Sequence, residues 1–341
     1  MICEACGTEL PPEFLACPAC HRLVHSSRLK ELAARATEAA GRGETRAAVE
    51  HWRGALELLP PGSAQHAQVL ETIERLSQEL DRRPAGVKRP AALARGNRKR
   101  GPLAAALVTV GLLLAKFKFV LLFVLTKGKV LLLGLTKSST LISMLLSFGV
   151  YWTAWGWKFA AGLVLSIYVH EMGHVVALTH FGIRASAPMF IPGIGAVVRL
   201  KQYPASPRED ARVGLAGPVW GLGAAVAAYL LSLATGWAAL AAIAQVGAWI
   251  NLFNLLPVWQ LDGGRGFRAL GRPARAIAAG AVAVMWVTTK EGLLLLLLIA
   301  AVFRVAAGPF PETTDRRALV EYVGLVVLLS LMTMIPVPAP V

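Results

Sequence analysis

Residues 155–180 read WGWKFAAGLVLSIYVHEMGHVVALTH. The stretch is long and apolar enough to cross a bilayer as a helix, which takes about 20 residues. Its second half nevertheless carries His170, Glu171 and His174. On a helix, positions four apart lie about 40° apart around the axis, so both imidazoles project from one face and can share a metal, with Glu171 beside them. Such groups are costly inside a membrane unless they serve a site. The stretch therefore predicts an all-α polytopic membrane protein built around a polar centre.

The rest of the chain agrees with a membrane setting. It has 341 residues, 55% of them hydrophobic and 16% charged, with a mean hydropathy of +0.56, which excludes an ordinary soluble enzyme. Lys and Arg number 35 against 20 Asp and Glu, a net charge of +15. Up to Arg100 there are 16 basic and 12 acidic residues, leaving 19 and 8 for the remainder, where they flank long apolar runs. Positive charges so placed read as topology signals, not as a nucleic-acid surface. The expected spans are Val130–Trp152, Trp155–His180, Val213–Thr235, Trp237–Pro257, the shorter pair Ala274–Thr289 and Gly292–Ala307, and Ala318–Ile335, about six of them forming the core. Arg184–Arg212 and the arginines after Asp262 are assigned to the cytosolic side, and Trp152, Trp155 and Trp157 to the outer interface.

Ahead of this domain, three segments separate by composition. Residues 1–25 hold all 4 cysteines, as Cys3-x-x-Cys6 and Cys17-x-x-Cys20. Paired thiolates on two tight turns close a tetrahedral zinc site, and so short a segment needs the metal to fold. A zinc ribbon is expected, with His21 and His25 as bystanders. Residues 29–82 are alanine-rich, charged and helical in pattern. Gly43, Ala48, Trp52, Ala55 and Pro60 resemble the spacing of a tetratricopeptide repeat, which implies a helical hairpin continued by a third helix. Residues 83–102 form a basic, Pro- and Gly-broken linker suited to anionic lipid headgroups. As a disordered tether, it would leave the module free to seek a cytosolic protein partner without rigid coupling to the membrane domain. Residues 103–129 carry Lys116 and Lys118 mid-segment, which predicts an interfacial or re-entrant helix. Residues 130–341 are the membrane domain proper. Met1 opens onto Cys3, Cys6 and Glu9 instead of a basic and then an apolar run, so no cleavable signal is expected and the N-terminus stays cytosolic.

Two histidines need a third ligand that leaves one position open. Among the acids of the membrane domain, only Asp262 follows directly on an apolar run, and Gly263 and Gly264 beside it permit close backbone approach. His170-Glu171-x-x-His174 followed 262 − 174 = 88 residues later by Asn254-x-x-Pro257-x-x-x-Leu261-Asp262-Gly263 resembles the site-2 protease family of intramembrane zinc metalloproteases. The resemblance implies zinc held by His170, His174 and Asp262, Glu171 as the catalytic acid/base, and Asn254 as a substrate-positioning residue. It also implies a transmembrane protein substrate and a bacterial plasma-membrane location. Ala216-Gly217-Pro218 resembles the start of the family's third core helix, and Pro192-Gly193-Ile194-Gly195-Ala196 its membrane-associated hairpin. Trp259 and Gln260 depart from the family's usual proline and small residues, and no PDZ domain fits between 180 and 213. The function expected is zinc-dependent endoproteolysis of membrane-embedded substrates, with one catalytic and one structural zinc. The alternative is a non-catalytic membrane scaffold or sensor acting through the N-terminal module.

Overall fold

A computed structural model describes residues 1–82, 138–193, 195–198, 200 and 202–337 of the chain. The expected basic linker, the segment 103–129 and the start of the first expected span lie outside these residues.

At the N-terminus two cysteine turns repeat one hydrogen-bond pattern. The amides of Cys3 and Cys17 donate to the carbonyls of Thr8 and Arg22, and those of Gly7 and His21 donate back to Cys3 and Cys17. Gly7 and His21 both take the left-handed conformation, at φ 73° and 58°. Three helices follow, α1 (Ser26–Gly41), α2 (Thr45–Leu56) and α3 (Ala64–Arg82). Ala39, Ala48, Val49, Ile73 and Leu76 form their shared core.

The second body contains α4 (Ser138–Trp155), α5 (Trp157–His180), the antiparallel pair β1 (Met189–Ile191) and β2 (Gly195–Val197), α6 (Pro207–Thr235), α7 (Ala238–Asn254), α8 (Asp262–Arg268), α9 (Arg272–Thr289), α10 (Gly292–Ala306) and α11 (Arg316–Thr333). Among the described residues, α5 and α6 are each long and apolar enough to span a bilayer, and α7 and α10 are shorter apolar helices. The chain is therefore mostly helical, and its apolar helices point to a membrane protein. The polarity is inside out: Leu145, Leu230, Val284, Ile299, Phe303 and Leu328 are exposed, whereas His170, Glu171, His174, Asn251 and Asp262 are buried.

The helix α6 begins six residues before the expected Val213. Ser206 accepts from the Glu209 amide as N-cap, Pro207 occupies the first turn, and Glu209 and Asp210 sit where the helix dipole favours acids. These two extra turns meet the N-terminal module. Arg53 of α2 pairs with Glu209 at 2.7 Å, both side chains 3% exposed, and also donates to the Phe181 carbonyl at 3.0 Å. Gly182, at φ +63°, lets the chain turn against Glu50, whose Cγ would lie 2.8 Å from a Cβ there. Asp81 of α3 takes Arg212 at 3.1 Å, Arg208 at 3.2 Å and Arg317 at 2.8 Å. Losing one partner of the buried Arg53–Glu209 pair costs about 3–5 kcal/mol. The expectation of a module uncoupled from the membrane domain is thus corrected: it is docked. Periodicity within each segment could not reveal this, because the pairs join residues more than 100 positions apart.

Candidate metal centre

The helix α5 carries His170, Glu171 and His174 past the glycine-rich face of α6, and the loop after α7 delivers Asp262 at the first turn of α8. His170 Nε2 and His174 Nε2 lie 3.2 Å apart. Asp262 Oδ2 is 3.2 Å from the first and Oδ1 is 3.3 Å from the second. All three residues are buried. Gly263 permits the approach anticipated beside Asp262, since a Cβ there would collide with the Leu255 backbone.

The far side of each imidazole decides what the near side can do. His174 Nδ1 faces the Val213 carbonyl at 2.8 Å. A carbonyl only accepts, so Nδ1 carries the proton and Nε2 presents a lone pair. His170 Nδ1 faces Asn251 Oδ1 at 2.7 Å, while Asn251 Nδ2 donates to the Gly247 carbonyl at 2.7 Å. That second bond orients the amide with its oxygen toward His170, giving the same tautomer. Two lone pairs and a carboxylate therefore converge in a buried place, which is unfavourable unless a cation neutralises them.

The spacing fits zinc. Nitrogen and oxygen donors about 2.0–2.1 Å from a tetrahedral centre lie about 3.3 Å from one another. The opposite wall has room for an ion because position 217 is glycine. A Cβ at Gly217 would collide with His174 Nε2 and lie 2.7 Å from His170 Nε2. One turn on, a Cβ at Gly221 would overlap the Asn251 amide.

Beside this cluster opens a cavity of about 540 Å³ walled by Glu171, His170, Ser166, Asn254, aromatic side chains including Tyr151, Trp249 and Phe253, and Gly193, Gly195 and Ala196 of the β-hairpin. The hairpin is pinned to α4, where Tyr151 Oη accepts from the Gly193 amide at 3.0 Å and Ser143 Oγ from the Phe190 amide at 3.1 Å. Asn254 Nδ2 stands 3.5 Å from His170 Nε2 on the cavity wall. Asn251 was not singled out from the sequence. Its only signal there is its place one helical turn before Asn254.

The four cysteines form a second cluster. Cys3 and Cys20 sulfurs are 3.7 Å apart and those of Cys6 and Cys17 3.6 Å, close to the roughly 3.8 Å edge of a tetrahedral zinc–thiolate site. Neither His21 nor His25 belongs to it. Three other acids of the membrane domain have structural partners: Glu209 with Arg53, Asp210 with Arg265 and Arg268, and Asp315 with Arg212.

Residues 158–239, which include the histidine helix, match Peptidase family M50, so the family resemblance holds. A zinc metalloprotease of Methanocaldococcus jannaschii is 26% identical over 113 residues, covering 32% of this chain and 32% of that protein. A probable chloroplastic zinc metalloprotease of Arabidopsis thaliana is 24% identical over 221 residues, covering 50% of this chain and 40% of its own length. The chain thus spans well under half the length of either relative. No solved structure matches it. These similarities support a metalloprotease of the site-2 protease type.

Proposed function

We propose that this chain is a zinc-dependent intramembrane endopeptidase that cuts membrane-embedded protein substrates, as in regulated intramembrane proteolysis. The observation that carries the reading is the convergence of His170, His174 and Asp262 donors at 3.2–3.3 Å at an apolar helix long enough to span a bilayer. His170, His174 and Asp262 would hold the ion, and three protein donors leave one position for water or substrate. Bound there, zinc supplies a Lewis acid that polarises a scissile carbonyl and activates water near neutral pH.

The chain's own residues do the rest. Glu171 is outside the ligand set and lines the cavity. Its carboxylate takes a proton from the attacking water and later delivers it to the leaving amine. The Asn254 amide, on the same wall, donates to a substrate carbonyl and holds it near the cluster. Peptide bonds in a transmembrane helix are shielded by their own hydrogen bonds, so the substrate unwinds locally first. The β-hairpin at the cavity rim gives the extended segment an edge to pair with.

On this reading the chain crosses the plasma membrane of a bacterium several times, with its N-terminal module in the cytosol. The cysteine cluster holds a second, structural zinc. The basic linker lies against anionic headgroups, and the module's outer surface is available to a cytosolic protein partner. The test is Glu171→Gln: full-length protein should lose cleavage of a transmembrane test substrate by at least about a thousandfold, a general acid/base loss compounded by the missing charge, while keeping its zinc. Near-normal turnover by that variant would sink the mechanism.

A further inference from the structure

The first two turns of α6 face two ways. Arg208, Glu209 and Arg212 reach the N-terminal module, at Asp81 and Arg53. Asp210, in the same turn, reaches α8, where it takes Arg265 at 2.7 Å and Arg268 at 2.6 Å. The first residue of α8 is Asp262. One turn further along α6, a Cβ at Gly214 would stand 2.6 Å from Arg265 Cβ and 3.1 Å from the Asp262 carbonyl, so the two helices touch there without slack. The same stretch also supplies the Val213 carbonyl that orients His174.

These contacts form one continuous junction whose module-side half combines charge pairs with the bonds of Arg53 to the Phe181 and Tyr203 carbonyls and the packing of Ala205 on the module's core. Besides the inner pairs, Glu57, the residue just after α2, takes Arg184 at 2.6 Å on an exposed rim and the buried Gln202 at 2.7 Å. Charge pairs lose their orientation when one side moves, and a packed helix shifts as a body. Displacing the module would leave Glu209 without its counter-charge and Arg208 and Arg212 with Asp315 but not Asp81, and so loosen the turn that holds both α8 and the Val213 carbonyl.

We propose that the N-terminal module is a docked clamp, coupled through residues 207–214 of α6 to the third metal ligand, so that whatever draws the module away from the membrane domain weakens the metal centre. Asp210 is the positioning residue of this linkage: it touches no ligand atom and acts through Arg265 and Arg268 on the helix that starts at Asp262. The linkage turns the module from a passenger into a control element whose release lowers activity. It rests on the metal reading of His170, His174 and Asp262 for its consequence, but not for its mechanical part.

The experiment uses full-length protein with cobalt in both clusters, because a tetrathiolate site absorbs by sulfur-to-cobalt charge transfer and a site of two imidazoles and a carboxylate does not. Glu57→Lys puts like charges against Arg184 at the exposed rim without burying an unpaired charge, and Asp81→Asn unloads the inner pairs. Hydrogen exchange should speed up in α2 and α3 and also in α8. Cobalt should leave the histidine site faster by on the order of tenfold, as for loss of an outer-shell partner, while the cysteine site keeps its release rate. Restoring the rim with Glu57→Lys combined with Arg184→Glu should reverse all three changes. Loosened α2 and α3 with unchanged α8 exchange and unchanged cobalt release would overturn the coupling, as would failure of both variants to loosen α2 and α3. If α8 responds but the parent protein holds no metal at the histidines, the clamp stands and the enzymatic reading falls.

Discussion

Replacing Asn251 with leucine is the sharpest probe of how the metal centre is prepared. Leucine keeps the branched shape but removes the oxygen that faces His170 Nδ1 at 2.7 Å. The imidazole then has two choices. It can keep its proton on Nδ1, buried without an acceptor, at a cost of about 1–3 kcal/mol. Or it can move the proton to Nε2, which removes the lone pair directed at His174 and Asp262. Both routes weaken metal binding. At about 1.4 kcal/mol per factor of ten, the loss is about 10- to 100-fold in zinc affinity. The measurement is zinc partition between the purified full-length protein and a chelator of known affinity, with the cysteine site counted separately. Asn254→Leu is the contrast: its amide stands at 3.5 Å from Nε2 and fixes no tautomer, so zinc affinity should hold while turnover of substrate falls. Wild-type zinc affinity in Asn251→Leu would refute the argument that Asn251 fixes the tautomer of His170.

Two further expectations follow from single contacts. Gly217→Ala should abolish metal binding at the histidine site, because its Cβ would collide with His174 Nε2; metal analysis giving only the cysteine-bound zinc is the expected result, and two zinc ions per chain would refute it. The docked state should also depend on acid through Asp81. Burial alone would raise this carboxyl, but Arg212 first, then Arg317 and Arg208, hold it below the ordinary value of 3.8. A carboxyl depressed on folding contributes stability in full above its unfolded value, and the contribution is lost as pH falls through the lower folded value. Hydrogen exchange in α3 should therefore be steady at neutral pH and rise only once the pH drops below about 4. Asp81→Asn should flatten that acid-side rise.

Local chemistry along the chain was enough for much of the centre. The spacing of His170, Glu171 and His174 is a property of one helix, and four residues of separation put both imidazoles on one face wherever that helix lies. The same holds for Cys3-x-x-Cys6 and Cys17-x-x-Cys20, whose turns are closed by bonds within six residues. Asp262 could be singled out because it is an acid directly after an apolar run, flanked by glycines. The extra turns of α6 were legible in principle, from Ser206, Pro207, Glu209 and Asp210, but their charge made them look like loop.

What only the tertiary structure decided are the partners that come from elsewhere in the chain. Neither the Val213 carbonyl behind His174 nor the Asn251 amide behind His170 carries a mark in the sequence. A backbone carbonyl has no residue type, and an asparagine near the end of an apolar helix has many uses. Gly217 reads as a packing glycine until the imidazoles are seen to lie where its side chain would be. Docking of the module is the largest such case. Arg53 and Glu209 are separated by 156 residues, and each alone looks like an ordinary charge on a helix surface. Their pairing depends on how two bodies meet, and the free energy of a buried charge is set by the partner it finds, not by its neighbours along the chain.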